Sequence, residues 1–278
     1  MQLLVMLALS LGMMLVATFA TAPILLLGGG HPSTSAILWV QGITQVLTFL
    51  VPVLLMTVIY YRGEMRDYYR LDFGGRRWGY ALAGVVVTLL LIPLNDWLTQ
   101  WNDGWQLGRL GELLRKLQEQ TEGLVEQMFA TDTVGGLLAN LLVIALIPAI
   151  CEEVFFRAGI QNLLQRWTRN PHVAIWLTAV IFSLGHGEVF SFMPRFVMGA
   201  TLGYLYVYGG SLLPNVAAHF VNNALVTVLY WLVARGVLDI DPEAPLGIGT
   251  TLIVCCTLAA VLLFVATFLL RPKKQSCA

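Results

Sequence analysis

Eight apolar runs recur along the chain, and most are long enough for a helix to cross a hydrocarbon core, which takes about 20 mainly apolar residues. They cover approximately 3–27, 37–61, 79–100, 135–163, 173–190, 195–208, 212–234 and 248–270. Inside lipid the backbone has to satisfy its own N–H and C=O groups, so runs of this length point to a helical bundle. Composition agrees. Of 278 residues, 58% are hydrophobic and 12% charged, against about a quarter charged in an ordinary soluble domain. The expected fold is all-α, a polytopic transmembrane bundle of about eight spans in a lipid bilayer. Formal net charge is zero, so no nucleic acid is expected as a partner.

Loop charge supports that count. Arg62, Arg66, Arg70, Arg76 and Arg77 follow the second run, Arg166 and Arg169 follow the fourth, and Arg271, Lys273 and Lys274 follow the last. Eight spans with both termini in the cytoplasm put all three segments on the side where Lys and Arg collect. The opposite 102–134 loop has six acids and three bases. Within it Leu107, Leu110, Leu113, Leu114 and Leu117 fall at helical spacing, and Leu124, Val125 and Met128 continue the stripe. This is an amphipathic helix, lying on the membrane surface or packed over the mouth of the bundle. Three regions are expected: 1–128, membrane helices with the surface helix; 129–236, a central core of spans; and 237–278, the last span and a basic tail.

Two processing signals look weak. "ATFA" (17–20) resembles a cleavage site, but no Lys or Arg precedes it and the apolar run is long, so a retained first span is expected. The ending "KQSCA" lacks the Cys-a-a-X form, so the chain is not an obvious prenylation substrate. Cys151, Cys255, Cys256 and Cys277 read as free or packing thiols.

Three polar islands interrupt the apolar runs. The first is "CEEVFFR", with Glu152, Glu153 and Arg157. A charge at the bilayer centre costs about 2.5–3.5 kcal/mol on insertion scales, so these groups need partners or a use. Glu153 and Arg157, four apart, can pair on one helix face. Glu152 is then left over, about 100° around the helix. Pro148, four residues earlier, removes a backbone donor and favours a kink. The second island is "FSLGHG", with His186 deep in the fifth span between two glycines. The third is "HFVNN", with His219 and Asn223 one turn apart. Alone, the second and third islands are better served by interhelical packing, whereas the first favours a pocket over a purely structural knot. Together they share a depth. Counted at 1.5 Å per residue from the inner helix ends, Glu152, His186 and His219 sit roughly 10–20 Å below the cytoplasmic surface.

A carboxylate, two imidazoles and an amide in one cavity can hydrolyse an amide bond. Glu152 and His186 would hold and activate a water. His219 and Asn223 would donate to the oxyanion formed on the attacked carbonyl. In a second version Glu152, His186 and His219 bind a divalent metal such as zinc, leaving one position for water. The compact H-E-x-x-H helix of soluble zinc proteases is lacking, and the metal-free version, without a cofactor, is preferred.

At these residues the chain resembles a known family. "EEVFFR" matches Glu-Glu-x-x-x-Arg, "FSLGH" matches Phe-x-x-x-His, and "HFVNN" matches His-x-x-x-Asn. In this order they are the signatures of the CAAX prenyl endopeptidase and bacteriocin-processing (CPBP, abortive-infection) family of intramembrane proteases. The resemblance covers about 130–235 and leaves the first two spans unmatched. It implies an intramembrane endopeptidase with a cytoplasm-facing cavity, acting on a membrane-associated protein or peptide, prenylated or not. It also implies roles: Glu152 as base, His186 as water partner, His219 and Asn223 as oxyanion donors, Glu153 and Arg157 as the supporting pair. Family members have been argued to be metal-dependent and metal-free. Two rival functions stand beside it. One is a non-catalytic binding or immunity protein of the same fold. The other is a proton-coupled transporter, disfavoured by the lack of visible repeats.

Overall fold

The computed structural model describes residues 1–26, 32–61, 65–72 and 74–269, and all regular structure among them is helical. Ten helices make the framework. They are α1 (Gln2–Leu26), α2 (Thr34–Tyr60), α3 (Gly75–Leu90), α4 (Ile92–Asp103), α5 (Gly108–Phe129), α6 (Val134–Thr168), α7 (Pro171–Gly185), α8 (Phe192–Gly209), α9 (Leu213–Ala234) and α10 (Thr250–Thr267). The basic tail and Cys277 lie outside the described residues, as do the side chains of Arg62, Arg66 and Arg76.

Each of the eight apolar runs folds as helix, but they do not all span alike. Among the described residues α1, α2, α6, α9 and α10 are long and apolar enough to cross a membrane. A sixth span arises if α3 and α4, bent by 44° at Leu91, count as one. The fifth and sixth runs become α7, of 15 residues, and α8, of 18, which pack along one another. Their close approach needs glycine: a Cβ on Gly203 would sit 2.9 Å from Ile175 Cγ2, and one on Gly199 would sit 3.2 Å from Ala179 Cα.

Capping sets the helix starts. Ser33 accepts from Ala36 N–H, Thr133 from Gly136 N–H, and Asn170 from His172 and Val173 N–H, with Pro171 at the first helical position. Between α6 and α7, Arg169 adopts a left-handed conformation (φ 55°) and turns the chain back. Glu152 precedes Asn170 by 18 residues and His186 follows it by 16, so antiparallel packing returns the two to similar depth.

Pro52 and Pro148 each lie inside a span just after a π-helical stretch. Proline cannot donate to the carbonyl four residues back. For Pro52 that carbonyl is Thr48, and Ser10 Oγ of α1 donates to it at 2.9 Å. For Pro148 it is Ile144, and Asn223 Nδ2 of α9 donates to it at 3.4 Å. Neighbouring spans thus supply what the prolines remove, and the helices continue through both positions.

The amphipathic helix is α5. It packs against α2 and α9. Its inner face carries Gly111 and Gln118, while Leu110, Leu113, Leu117 and Leu124 are exposed. Gln118 Oε1 accepts from Phe190 N–H, which ties α5 to the turn between α7 and α8.

Candidate active site

Glu152 lies midway along α6 and is buried, as are Glu153 and Arg157. From Val154 to Gln161 the helix is π-wound, a form that favours functional sites. Arg157 Nε donates to Glu153 Oε2 at 2.9 Å, the expected pair, with both side chains fully buried. Glu153 has two more partners on α9. His219 Nδ1 lies 3.0 Å from its Oε1, and Asn215 Nδ2 donates to its Oε2 at 3.3 Å.

Glu152 faces the two imidazoles. Its Oε2 is 3.8 Å from His186 Nε2 and 3.8 Å from His219 Nε2, and this buried atom has no hydrogen-bond partner among the described residues. Its Oε1 accepts from Gln45 Nε2 at 3.1 Å. Both histidines have their far nitrogen committed. His186 Nδ1 lies 2.7 Å from the Phe182 carbonyl, and His219 Nδ1 lies 3.0 Å from the Glu153 carboxylate. Those oxygens only accept, so each Nδ1 carries a proton and each ring turns its Nε2 toward Glu152. A carboxylate oxygen thus faces two imidazole nitrogens, each 3.8 Å away. A water beside them can donate to the carboxylate and to one imidazole.

His186 differs from its expected position. It is the C-cap of α7, half-buried, rather than a residue within a span. α7 ends at Gly185, and Gly187 takes a positive φ (73°) to redirect the chain. The ring still meets Glu152 because the Phe182 carbonyl, one turn back, holds Nδ1. Phe182 also packs edge-on to both imidazoles, with centroids 4.8 Å from His186 and 6.2 Å from His219, and lies under the Arg157 guanidinium.

Asn223 is one turn from His219, and its Nδ2 reaches the Ile144 carbonyl. One of its two N–H bonds is thus engaged and the other is left. Two contributors were not foreseen as site residues. Gln45, on α2, was one amide in an apolar run with nothing in sequence to pair it. Asn215 was visible among the amides of the third island, but its contact with Glu153 depends on how α6 and α9 pack.

Glu152, His186 and His219 are the donor set a metal centre here would use. Outward Nδ1 bonds are what metal-binding histidines need. The separations are wider than a tetrahedral site uses, since ligands at about 2.1 Å from zinc lie about 3.4 Å from one another. Among the described residues no group of three His, Cys, Asp or Glu side chains has geometry that would hold a metal ion. The residues as placed do not fit one.

An apolar groove of about 570 Å³ runs beside the site between α2 and the first half of α6. Leu38, Trp39, Gly42, Val46, Leu142 and Val143 are among its walls, and Gln45 is on the same helix as four of them.

Comparisons with known proteins point to membrane peptidases. Residues 134–225 match the family described as type II CAAX prenyl endopeptidase Rce1-like. The chain is 24% identical over 214 residues to the "Putative membrane peptidase YdiL" of Bacillus subtilis (strain 168), covering 76% of this chain and 81% of that protein. No solved structure matches. The 134–225 match contains all three motifs, with Glu152, His186, His219 and Asn223, so this stretch is similar to that family of membrane peptidases.

Proposed function

We propose that the chain is an intramembrane endopeptidase that hydrolyses a peptide bond with a water activated by Glu152. One observation carries this reading: the buried, unpartnered Oε2 of Glu152 lies 3.8 Å from two Nε2 atoms whose rings are held from behind. A water there donates to the carboxylate and to one imidazole. Glu152 takes its proton as the oxygen attacks the substrate carbonyl, and the proton passes to the departing amine. A carboxylate and an amine result. Removing a base of this kind costs typically 10²–10⁴-fold in rate.

His186 holds the water. His219 and the free N–H of Asn223 stabilise the oxyanion. Donation from His219 Nε2 requires a second proton on the ring. In this island two carboxylates face one guanidinium, so that proton brings the charge sum to zero. Glu153 positions His219, and Arg157 with Asn215 positions Glu153. The substrate is a membrane-associated protein or peptide. Its apolar part, a prenyl chain in one version, lies along the groove beside Gln45. Both termini are on the cytoplasmic side in this reading, and the reaction runs without a metal.

The test is cleavage of a peptide library and of a prenylated reporter by purified protein in detergent. Wild type cleaves, and Glu152→Ala and His219→Ala each lose the activity. Cleavage that survives both variants removes the site assignment. Loss of activity with phenanthroline, restored by added zinc, removes the metal-free mechanism. A cellular phenotype that persists in Glu152→Ala assigns the biological role to binding rather than catalysis.

A further inference from the structure

A second polar cavity, of about 350 Å³, lies at the other end of α6, where residues 65–72 cross the helix. Asp67, Tyr68, Arg70, Asn162, Gln165 and Arg166 line it. Asn162 and Arg166 follow Glu152 by 10 and 14 residues, about 15–20 Å along the helix. Phe155, Phe156 and Leu163 pack the intervening core, so the cavity is not part of the hydrolytic site.

Its cations are held in fixed planes. Arg166 stacks over the rings of Tyr61 and Tyr68, 4.9 and 5.5 Å from their centroids, and its Nη1 donates to Tyr61 Oη at 2.7 Å. Arg70 has a positive φ (52°), lies 4.4 Å over the Tyr206 ring and donates from Nη1 to the Tyr206 carbonyl at 3.2 Å. Among the described residues no carboxylate lies within ion-pair distance of either guanidinium. Their remaining N–H edges are available.

A buried donor adds to them. Tyr68 is 5% exposed, and its hydroxyl has no hydrogen-bond partner among the described residues. Burial pushes this phenol well above its ordinary range, so it keeps its proton. Its backbone carbonyl is fixed by Asn162 Nδ2 at 3.3 Å, and the same nitrogen donates to Tyr206 Oη at 2.9 Å. A buried hydroxyl without a partner costs about 1–3 kcal/mol, which an arriving acceptor would recover.

We infer that this cavity binds a phosphate group through Arg70, Arg166 and the Tyr68 hydroxyl. Guanidinium planes match phosphate oxygens bidentately, and a phenol adds one more donor. Asp67 lowers the sum of charges to about +1, which suits the single charge of a phosphodiester. A phospholipid headgroup carries that diester at the depth where a bundle end meets the bilayer surface, and free phosphate is the other source. This inference does not depend on the peptidase reading.

The experiment titrates the purified full chain in a non-ionic detergent with dioctanoyl phosphatidylglycerol, dioctanoylglycerol and inorganic phosphate, reading intrinsic fluorescence and thermal unfolding. Phosphatidylglycerol is expected to bind and dioctanoylglycerol to bind at least roughly tenfold more weakly. Arg70→Gln with Arg166→Gln is expected to weaken phosphatidylglycerol roughly tenfold to a hundredfold, the range for lost charge-assisted bonds, and Tyr68→Phe by several-fold. Competition by inorganic phosphate makes the site one for phosphate in general. Binding of the lipid without such competition makes it a headgroup site. If the double variant fails to fold, Tyr68→Phe carries the test alone. Equal affinity for the two lipids, or unchanged affinity in Tyr68→Phe, overturns the proposal.

Discussion

Glu152 and Glu153 are adjacent in sequence, yet their removal should have opposite consequences. Glu153 has three side-chain partners: Arg157 Nε at 2.9 Å, His219 Nδ1 at 3.0 Å and Asn215 Nδ2 at 3.3 Å. It and Arg157 are fully buried, and Arg157 Nη1 and Nη2 have no hydrogen-bond partner among the described residues. Glu153→Gln keeps the shape and removes the charge, leaving a guanidinium in the core without its counter-ion. Breaking a buried pair from one side costs about 3–5 kcal/mol. At about 2 °C per kcal/mol for a chain of this size, Tm should fall by roughly 6–10 °C. Among the described residues Glu152 has one hydrogen bond, from Gln45, and no guanidinium or ammonium in contact, its two imidazole neighbours standing 3.8 Å away. Glu152→Gln should therefore change stability by less than about 1 kcal/mol while activity drops about 10²–10⁴-fold. Thermal unfolding in detergent, beside cleavage of one reporter, reads both quantities. If Glu152→Gln unfolds as early as Glu153→Gln, or Glu153→Gln melts with wild type, the division into a working and a supporting carboxylate is wrong.

Three further outcomes follow from particular contacts. Gln45→Ala should lower kcat roughly tenfold or more through loss of one hydrogen bond to a carboxylate, with the steady-state rate as the measure, and an unchanged rate would show that Glu152 is oriented without α2. Gly203→Ala should destabilise by about 1–3 kcal/mol, because its Cβ would meet Ile175 Cγ2 at 2.9 Å and Gln161 Oε1 at 3.0 Å, and a melt indistinguishable from wild type would show that α7 and α8 can separate freely. Asn223→Ala should cost about 0.5–1.5 kcal/mol in stability, and less in a Pro148→Ala background, where residue 148 regains an N–H for the Ile144 carbonyl; a double-mutant cycle with no coupling would dissociate the two positions.

The fold class was legible because apolar run length is a direct physical constraint. The number of crossings was less so: a run of apolar residues does not reveal that α7 is 15 residues long, or that Leu91 bends the third run by 44°. Glu152, His186 and His219 were legible as a group because charges and imidazoles in apolar runs are costly and therefore few. Depth, counted along each helix, was enough to bring them together. The cap position of His186 was hidden because "LGHG" reads equally as a small-residue helix face and as a helix end. Gln45 was hidden because an amide carries no charge, and its partner is 107 residues away.

Gln45 also changes what counts as the core. The family match begins at residue 134, so α1 and α2 lie outside it. Yet α2 supplies the hydrogen bond that fixes Glu152 Oε1, and α1 supplies the hydroxyl that meets the Thr48 carbonyl, three residues beyond Gln45. The two spans are tied to the site by a second route. A Cβ on Gly159 would come within 2.8 Å of Met6 Sδ, so α1 packs directly on the π-wound stretch that carries Arg157. π-winding leaves backbone groups less well paired than an α-helix does, and a helix wound this way over eight residues needs neighbours to hold it. α1 and α2, together with α7 and α8, provide them. Residues 134–225 alone contain the motifs but lack Gln45 and the α1 and α2 packing, so the arrangement around Glu152 belongs to the larger bundle.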